Sequence, residues 1–422
     1  MIDLKKFRDN PGYFRTAARE KGVDIDTDRI LVLDSQVRAL TADIEAMRAK
    51  KNAVSAQIPK ASADERARLI EEMRAEDKAY EDLVAKQRPL QEELEQLLFL
   101  IPNPALSDVK RGESDAENEV VKTVGEVPVF DFPVKDHLEL GTALDIIDTE
   151  RGARTAGARF AYLKGDAALM QFALFQYALS LITRHGFIPA TVPHMVSPRV
   201  MRAMGYLEHG GQDEIYYLQK DNLYLIGTAE QPLGALHMDE TLKEEELPLR
   251  YVGISPCYRR EAGSYGKDTK GIIRMHQFDK IEMFSYTTPE TSDAEHEKLL
   301  AIEEELVQGL GLAYRVIKQC TGDLGMPAAR KYDIETWIPS QNTYRETHST
   351  STCTDYQARR LNTRVKRTEG GVEFLHTLNG TAFAIGRIMV ALLEQYQQAD
   401  GSIRIPEVLR PWMGNKEVIT KK

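Results

Sequence analysis

Residues 257–282 read CYRREAGSYGKDTKGIIRMHQFDKIE, the densest polar segment of the chain. A strand-like stretch leads in, a glycine-punctuated basic loop fills the middle, and a second strand-like stretch with alternating character leads out. On that outgoing strand Arg274, His276 and Phe278 share one face while Met275 and Gln277 share the other, because side chains alternate along extended backbone. A hairpin carrying Arg259, Arg274 and an exposed Phe278 has the parts to clamp an anion and stack a base. Taken alone, it reads more simply as a solvated basic hairpin.

Three other segments carry related residue types. Thr228-Ala229-Glu230 follows Gly227 at the end of the apolar run 223–226, and residues 344–349, YRETHS, form a polar cluster containing Glu346. Ordinary turn chemistry would account for either. Residues 378–387, LNGTAFAIGR, are expected to pass from a turn into a helix, with Arg387 in its first turns. A cation is disfavoured at that end of a helix, so Arg387 implies either an anionic ligand or a partner Glu.

The N-terminal quarter follows a different rule. From Ile30 the apolar residues step in threes and fours through Leu33, Val37, Leu40, Ile44, Met47, Val54 and Ile58, with Lys51 interrupting. This is the 3.5-residue repeat of a coiled-coil seam. Pro59 stops it, and the pattern resumes at Leu69, Met73, Tyr80, Leu83, Leu90, Leu94, Leu97 and Ile101, with Glu76 and Gln87 as its breaks. Two matched seams across a short loop predict an antiparallel helical hairpin over residues 28–100, with legs roughly 45 Å long. Pro89 is expected to kink or break the second leg near its base. Prolines 102 and 104 close the hairpin. The chain then divides into an N-terminal domain 1–106, a charged linker 107–126 and a domain 127–422 of mixed α and β character. In that last domain helices are expected near 167–185, 290–310 and 385–396, and strands near 187–192, 223–226 and 249–254.

A length of 422 residues suits two or three domains. With 55 Lys plus Arg against 65 Asp plus Glu, the net charge of -10 excludes a general nucleic-acid coat, so any RNA contact is a local patch. The first leg of the hairpin supplies one: Arg38, Arg48, Lys50, Lys51 and Lys60 face only Asp43 and Glu45, whereas residues 61–88 are acidic on balance. Cys257, Cys320 and Cys353 show no C-x-x-C spacing and read as reduced thiols of a cytoplasmic protein. The first residues, MIDLKKFRDNPGYF, lack the apolar core of a signal peptide, and no run is long enough to span a bilayer. Neither G-x-G-x-x-G nor G-x-x-x-x-G-K-[ST] occurs, so a nucleotide would be held without a Rossmann or P-loop cradle.

Together these segments resemble the class II aminoacyl-tRNA synthetases, and among them the seryl-tRNA synthetases. The resemblance runs from MIDLKKFRDNP to IPEVLRPWMG at residues 405–414. RREAGSYGKDTKGIIRMHQFDKIEMF looks like motif 2 of that family, TLNGTAFAIGR like motif 3, and FIPATVPHMVSP at 187–198, more loosely, like the dimer-forming motif 1. The resemblance implies an α+β fold: an antiparallel sheet flanked by helices, with the hairpin as an N-terminal coiled-coil arm. It also implies a homodimer that activates L-serine with ATP and Mg²⁺ and transfers it to tRNA(Ser), and to tRNA(Sec).

Residue by residue, the resemblance implies that Arg259 holds the α-phosphate and Arg387 the γ-phosphate, as the catalytic pair. Arg260 and Glu261 join the ATP site, Glu261 meeting the adenine. Met275, His276, Gln277 and Phe278 line the adenine pocket, with Phe278 stacked on the ring. Glu346, Thr347, His348 and Ser349 form a further ATP-binding stretch, with Glu346 as a Mg²⁺ ligand. Thr228, Ala229, Glu230, Arg259, Glu282 and Thr381 are expected to bind serine. Arg48, Lys50, Lys51 and Lys60 of the arm, with Lys267 and Lys270 of the motif 2 loop, are expected to contact tRNA. Two departures bear on the pocket: Thr381 stands where the family usually has serine, and residues 347–360, THSTSTCTDYQARR, differ from the commoner SSCSNFTDFQARR. Competing readings are a dimerising or adaptor coiled coil for the arm, a relative that loads a carrier protein, and an inactive protein that keeps the fold. The arm argues against the second, and intact Arg259, Glu261, Glu282, Glu346 and Arg387 argue against the third.

Overall fold

The computed structural model describes residues 2–262 and 270–421, without the side chains of Lys60 and Ala75. Lys267 therefore lies outside the described residues. Two compact units divide at Pro102 and Asn103.

In the first unit the helix Thr27–Gln57 is capped by Asp26, whose side chain accepts from the Arg29 amide at 2.8 Å. A 3₁₀ turn, Ile58–Lys60, carries Pro59 and ends it, and the partner helix runs Ala63–Phe99. The two legs are antiparallel: Arg29 pairs with Glu93, Thr41 meets Gln87, and Lys51 meets Asp77. Every seam residue read from the periodicity on the first leg is buried or half-buried, Lys51 included. Each break in the seams finds a partner on the opposite leg. Gln87 donates to the Thr41 hydroxyl at 2.6 Å, Glu76 pairs with Lys50, and the Lys51 ammonium stands 4.7 Å from the Tyr80 ring centroid. Pro89 does not break the second leg as expected. It lies on an exposed position, while Gln87 and Leu90 on either side hold the seam.

The second unit is built on an eight-stranded sheet. In chain order its strands are β1 Glu119–Val124, β2 Ile188–Thr191, β3 Leu249–Tyr258, β4 Gln277–Thr287, β5 Tyr314–Lys318, β6 Arg330–Ile338, β7 Thr343–Thr354 and β8 His376–Ala384. They lie side by side as β1-β5-β6-β7-β8-β4-β3-β2, all antiparallel except the edge pair β2 and β3. β6 shows how the sequence separates its two faces. Tyr332, Ile334 and Ile338 enter the apolar core, while Lys331, Asp333 and Glu335 line a cavity on the opposite face. Helices Asp166–Ile182, Ser292–Gly309 and Ile385–Gln395 cover the apolar face, burying Leu174, Leu299, Leu306, Ile388 and Leu392 against Met283 and Phe383.

Three expectations need correction here. Residues 107–126 are not a free linker: they include edge strand β1, and Asp108 accepts from Lys318 and Arg330 at 2.6 and 3.2 Å. Residues 378–384 are not a turn but most of central strand β8, and the helix starts directly at Ile385. The strand expected to carry Arg274, His276 and Phe278 together begins only at Gln277, and Phe278 is half-buried rather than exposed.

Candidate active site

A cavity of about 1210 Å³ opens on the polar face of the sheet, with Glu230 and Thr381 at one end and Glu346 and Arg387 at the other. Its volume suits a nucleotide and a small amino acid together.

At the first end lie two carboxylates from distant parts of the chain. Glu282 on β4 is fully buried. It pairs with the Lys280 ammonium at 2.6 Å and accepts from Thr381 and Asn379 at 3.2 Å each. Glu230 opens the short helix Glu230–Gly234 and accepts from Tyr206 at 2.6 Å, Gln357 at 2.9 Å and Asn379 at 3.3 Å. Burial, and then the charge of Glu282, push the Glu230 carboxyl up from its ordinary value. Two buried acids against one buried lysine leave this end short of positive charge. An incoming ammonium group would supply it.

At the other end Arg387, near the start of its helix, donates to the Glu346 carboxylate at 3.0 Å and to the Glu346 carbonyl at 3.1 Å. Of the two readings of Arg387, the partner Glu is therefore realised. Burial alone would raise Glu346, but Arg387 and Lys331 outweigh it and hold the group at about 2. Asp333, whose Oδ2 accepts from Gln319 at 2.7 Å, is pushed up to about 7, by burial first and then, against the pull of Lys331, by Glu346. Glu346 and Ser349 both face the cavity, and among the described residues no three metal-ligating side chains converge. Such a donor set fits a Mg²⁺ ion that completes its shell with ligand phosphates and water, not an all-protein cage.

Between the ends, Arg259 donates to the Gly227 carbonyl at 3.3 and 3.2 Å, and its guanidinium stands 5.3 Å from the centroid of the Phe278 ring. A smaller annex is lined by Glu261, Met275, Phe278, Gly386 and Arg387. Glu261 takes a positive φ of 52° and receives Arg274 at 2.5 Å.

Thus Thr228, Glu230, Arg259, Glu346, Thr347, Ser349, Thr381 and Arg387 share the main cavity. Glu282 sits directly behind it, through Lys280, Asn379 and Thr381. Other expected residues lie elsewhere. Arg260 lies over Tyr216 at 4.8 Å and donates to the Ile215 carbonyl, while His276 binds the Arg259 carbonyl at 3.0 Å; neither these two nor Gln277 lines the main cavity or the annex. Ala229 is fully buried. His348 does line the annex, where it packs on Phe383 and burial lowers it to about 3. Lys270 is exposed at the border of the described loop. In the arm, Arg48 and Lys50 are exposed, but Lys51 is drawn into the seam. Sequence reading passed over Lys280, Asn379, Lys331, Asp333 and Tyr206. Alternation on the expected outgoing strand was the signal for Lys280, two residues before Glu282; Asn379 lay in a segment read as a turn, and Lys331 and Asp333 in a strand not expected from the sequence. Tyr206 had no such signal.

Comparison with known proteins matches this arrangement at two levels. Residues 216–396 match the family model of the tRNA synthetase class II core domain (G, H, P, S and T), and residues 1–105 match that of the seryl-tRNA synthetase N-terminal domain. The serine–tRNA ligase of Clavibacter michiganensis is 45% identical over 420 residues, spanning 99% of this chain and 98% of that protein. The solved seryl-tRNA synthetase of Pyrococcus horikoshii, complexed with ATP, superposes with a TM-score of 0.89 at 36% identity, covering 100% of both chains. The cytoplasmic enzyme of Naegleria fowleri, complexed with AMP, gives 0.85 at 31% identity over 100% and 99% of the two chains.

Proposed function

The chain belongs to the seryl-tRNA synthetases, ATP-dependent aminoacyl-tRNA ligases of class II, and on that footing we propose how its own residues divide the work. Serine binds at the Glu230 and Glu282 end. Its ammonium takes the place left by the charge imbalance there, and Thr381 and Asn379 orient the carboxylates that receive it. ATP lies bent between Arg259 and Arg387, with its adenine in the annex beside Phe278. The single observation that carries this reading is one cavity lined by Glu230, with Glu282 directly behind it, and by the phosphate-ready Arg259 and Arg387.

Activation needs alignment more than proton transfer, because a serine carboxylate is already a nucleophile. Its oxygen attacks the α-phosphorus, the bond to the bridging oxygen breaks, and pyrophosphate leaves with the electron pair. Arg259 neutralises charge at the α-phosphate and Arg387 at the leaving group. Mg²⁺ held by Glu346 and Ser349 would add further charge neutralisation on the phosphates. A ribose hydroxyl of the tRNA 3′ end then attacks the seryl carbonyl, and AMP departs. The acceptors are tRNA(Ser) and tRNA(Sec), held through Arg48, Lys50, Lys51 and Lys60 of the arm and through Lys267 and Lys270.

The homodimer is proposed through motif 1 and its surroundings, supported by Ile188, Met195 and Phe172, which stand 52%, 46% and 60% exposed. The cytoplasm is the proposed compartment. No helix among the described residues is long and apolar enough to cross a membrane. Serine-dependent exchange between ATP and pyrophosphate, followed by aminoacylation of purified tRNA(Ser) and tRNA(Sec), tests the assignment. Exchange absent with serine but present with another amino acid would overturn it.

A further inference from the structure

A buried histidine outside the expected site holds the far side of the annex. His137 opens the helix His137–Ala143 and is 4% exposed; Glu394, in the last turn of the helix that carries Arg387, is 0% exposed. Glu394 Oε1 accepts from both the His137 backbone amide and Nδ1, each at 3.0 Å, and Oε2 accepts from the Ser340 amide at 3.0 Å. The other ring nitrogen, Nε2, accepts from the Ile272 amide at 3.2 Å. A carboxylate only accepts and an amide only donates, so this ring is the neutral tautomer with its hydrogen on Nδ1.

Ile272 stands just after the basic loop of motif 2 and lines the annex with Ile273, Arg274 and Met275. Its backbone is held on both sides. The amide is bonded to His137, and the carbonyl lies so close to Gly386 that a Cβ there would come within 2.7 Å of it. The preceding Gly271 adopts φ +74°, and a Cβ on it would lie 1.8 Å from His137 Nε2. Neither glycine tolerates a side chain without displacing this contact.

We propose that His137 is a positioning residue for the ATP site: it fixes the Gly271–Ile272 peptide, and Glu394 ties that fixed point to the helix bearing Arg387. The inference rests on the placing of ATP in the annex and deepens it. It predicts a split between two similar substitutions. His137→Gln puts an amide oxygen near the position of Nε2 and keeps the acceptor for Ile272, whereas His137→Asn keeps a donor near Nδ1 for Glu394 and loses that acceptor.

The test is serine-dependent ATP–pyrophosphate exchange by the full chain, with KM measured separately for ATP and serine. Loss of one buried hydrogen bond corresponds to about tenfold in KM for ATP in His137→Asn, with KM for serine nearly unchanged. His137→Gln should stay within about twofold of the parent, on the same reasoning. Hydrogen exchange at the Ile272 amide is the second readout: fast in His137→Asn, protected in His137→Gln. Equal ATP KM values in the two variants, or equal protection of Ile272, would overturn the proposal. An unmutated chain that showed no exchange at all would instead overturn the ATP-site reading beneath it.

Discussion

Lys50 and Glu76 in the arm form the same kind of pair as Lys280 and Glu282 behind the cavity, but in different surroundings. Side-chain exposure is 66% and 18% in the first pair, 8% and 0% in the second. In the arm, water and salt screen the charges, and the pair adds little beyond what the seam already provides. Behind the cavity desolvation is costly, and the carboxylate takes further donors besides the lysine, here Asn379 and Thr381. The arm can thus change its charges at small cost and use them on a partner. The cavity cannot, and its charges define which ligand completes them.

The sharpest way to break this contrast is at the arginines. Arg259→Ala or Arg387→Ala should lower the turnover of ATP–pyrophosphate exchange by roughly 10²–10³-fold, the usual loss when one charge-stabilising donor is removed from a preorganised site. Turnover within a few-fold of the parent would remove that residue from the chemistry.

A direct comparison of the two Lys–Glu pairs comes next. Glu282→Gln removes the carboxylate paired with buried Lys280 and leaves Glu230 as the remaining acid beside it, which should destabilise the second unit and raise KM for serine. Glu76→Gln in the arm should leave the thermal midpoint almost unmoved. Equal effects in calorimetry would show that burial is not what separates the pairs.

A smaller effect is expected on the RNA side. If Arg48 meets a phosphate, Arg48→Ala should reduce the salt dependence of tRNA affinity by about one charge. Lys51→Ala should do less, because Lys51 is engaged with Asp77 and Tyr80. Filter-binding across a salt series checks both, and a larger change for Lys51 would reverse the ranking.

The smallest effect sits inside the arm seam. Gln87→Leu removes the polar contact with Thr41, and should leave stability near its parent value while loosening the register between the legs. Hydrogen exchange along the two helices of the intact chain reads that loosening. An unchanged pattern would mean that the apolar seam alone sets the register.

Legibility followed the same division. The arm could be read at once, since each seam residue is decided by neighbours three or four positions away, and even its breaks, Lys51, Glu76 and Gln87, were visible as breaks. That they pair across the hairpin was not, because pairing depends on how the two legs slide against each other. In the cavity, the acids and arginines of motifs 2 and 3 stood out by type and family pattern. Their neighbour Lys280 was missed although strand alternation placed it on the face of Glu282, and Asn379 was missed because its segment read as a turn. Tyr206 reaches Glu230 from another part of the fold, and no local period points to it.

The sequence by itself determined the helical hairpin, the stop at Pro59, the alternation that separates an apolar from a polar sheet face, and the residue types available for phosphate and ammonium. All of these are short-range properties of the chain. Only the tertiary structure decided that residues 119–124 join the sheet instead of linking domains, that Arg387 meets Glu346, and that His137 meets Ile272. Those contacts join segments far apart in the chain, and their register is set by strand pairing and helix packing that no single segment contains.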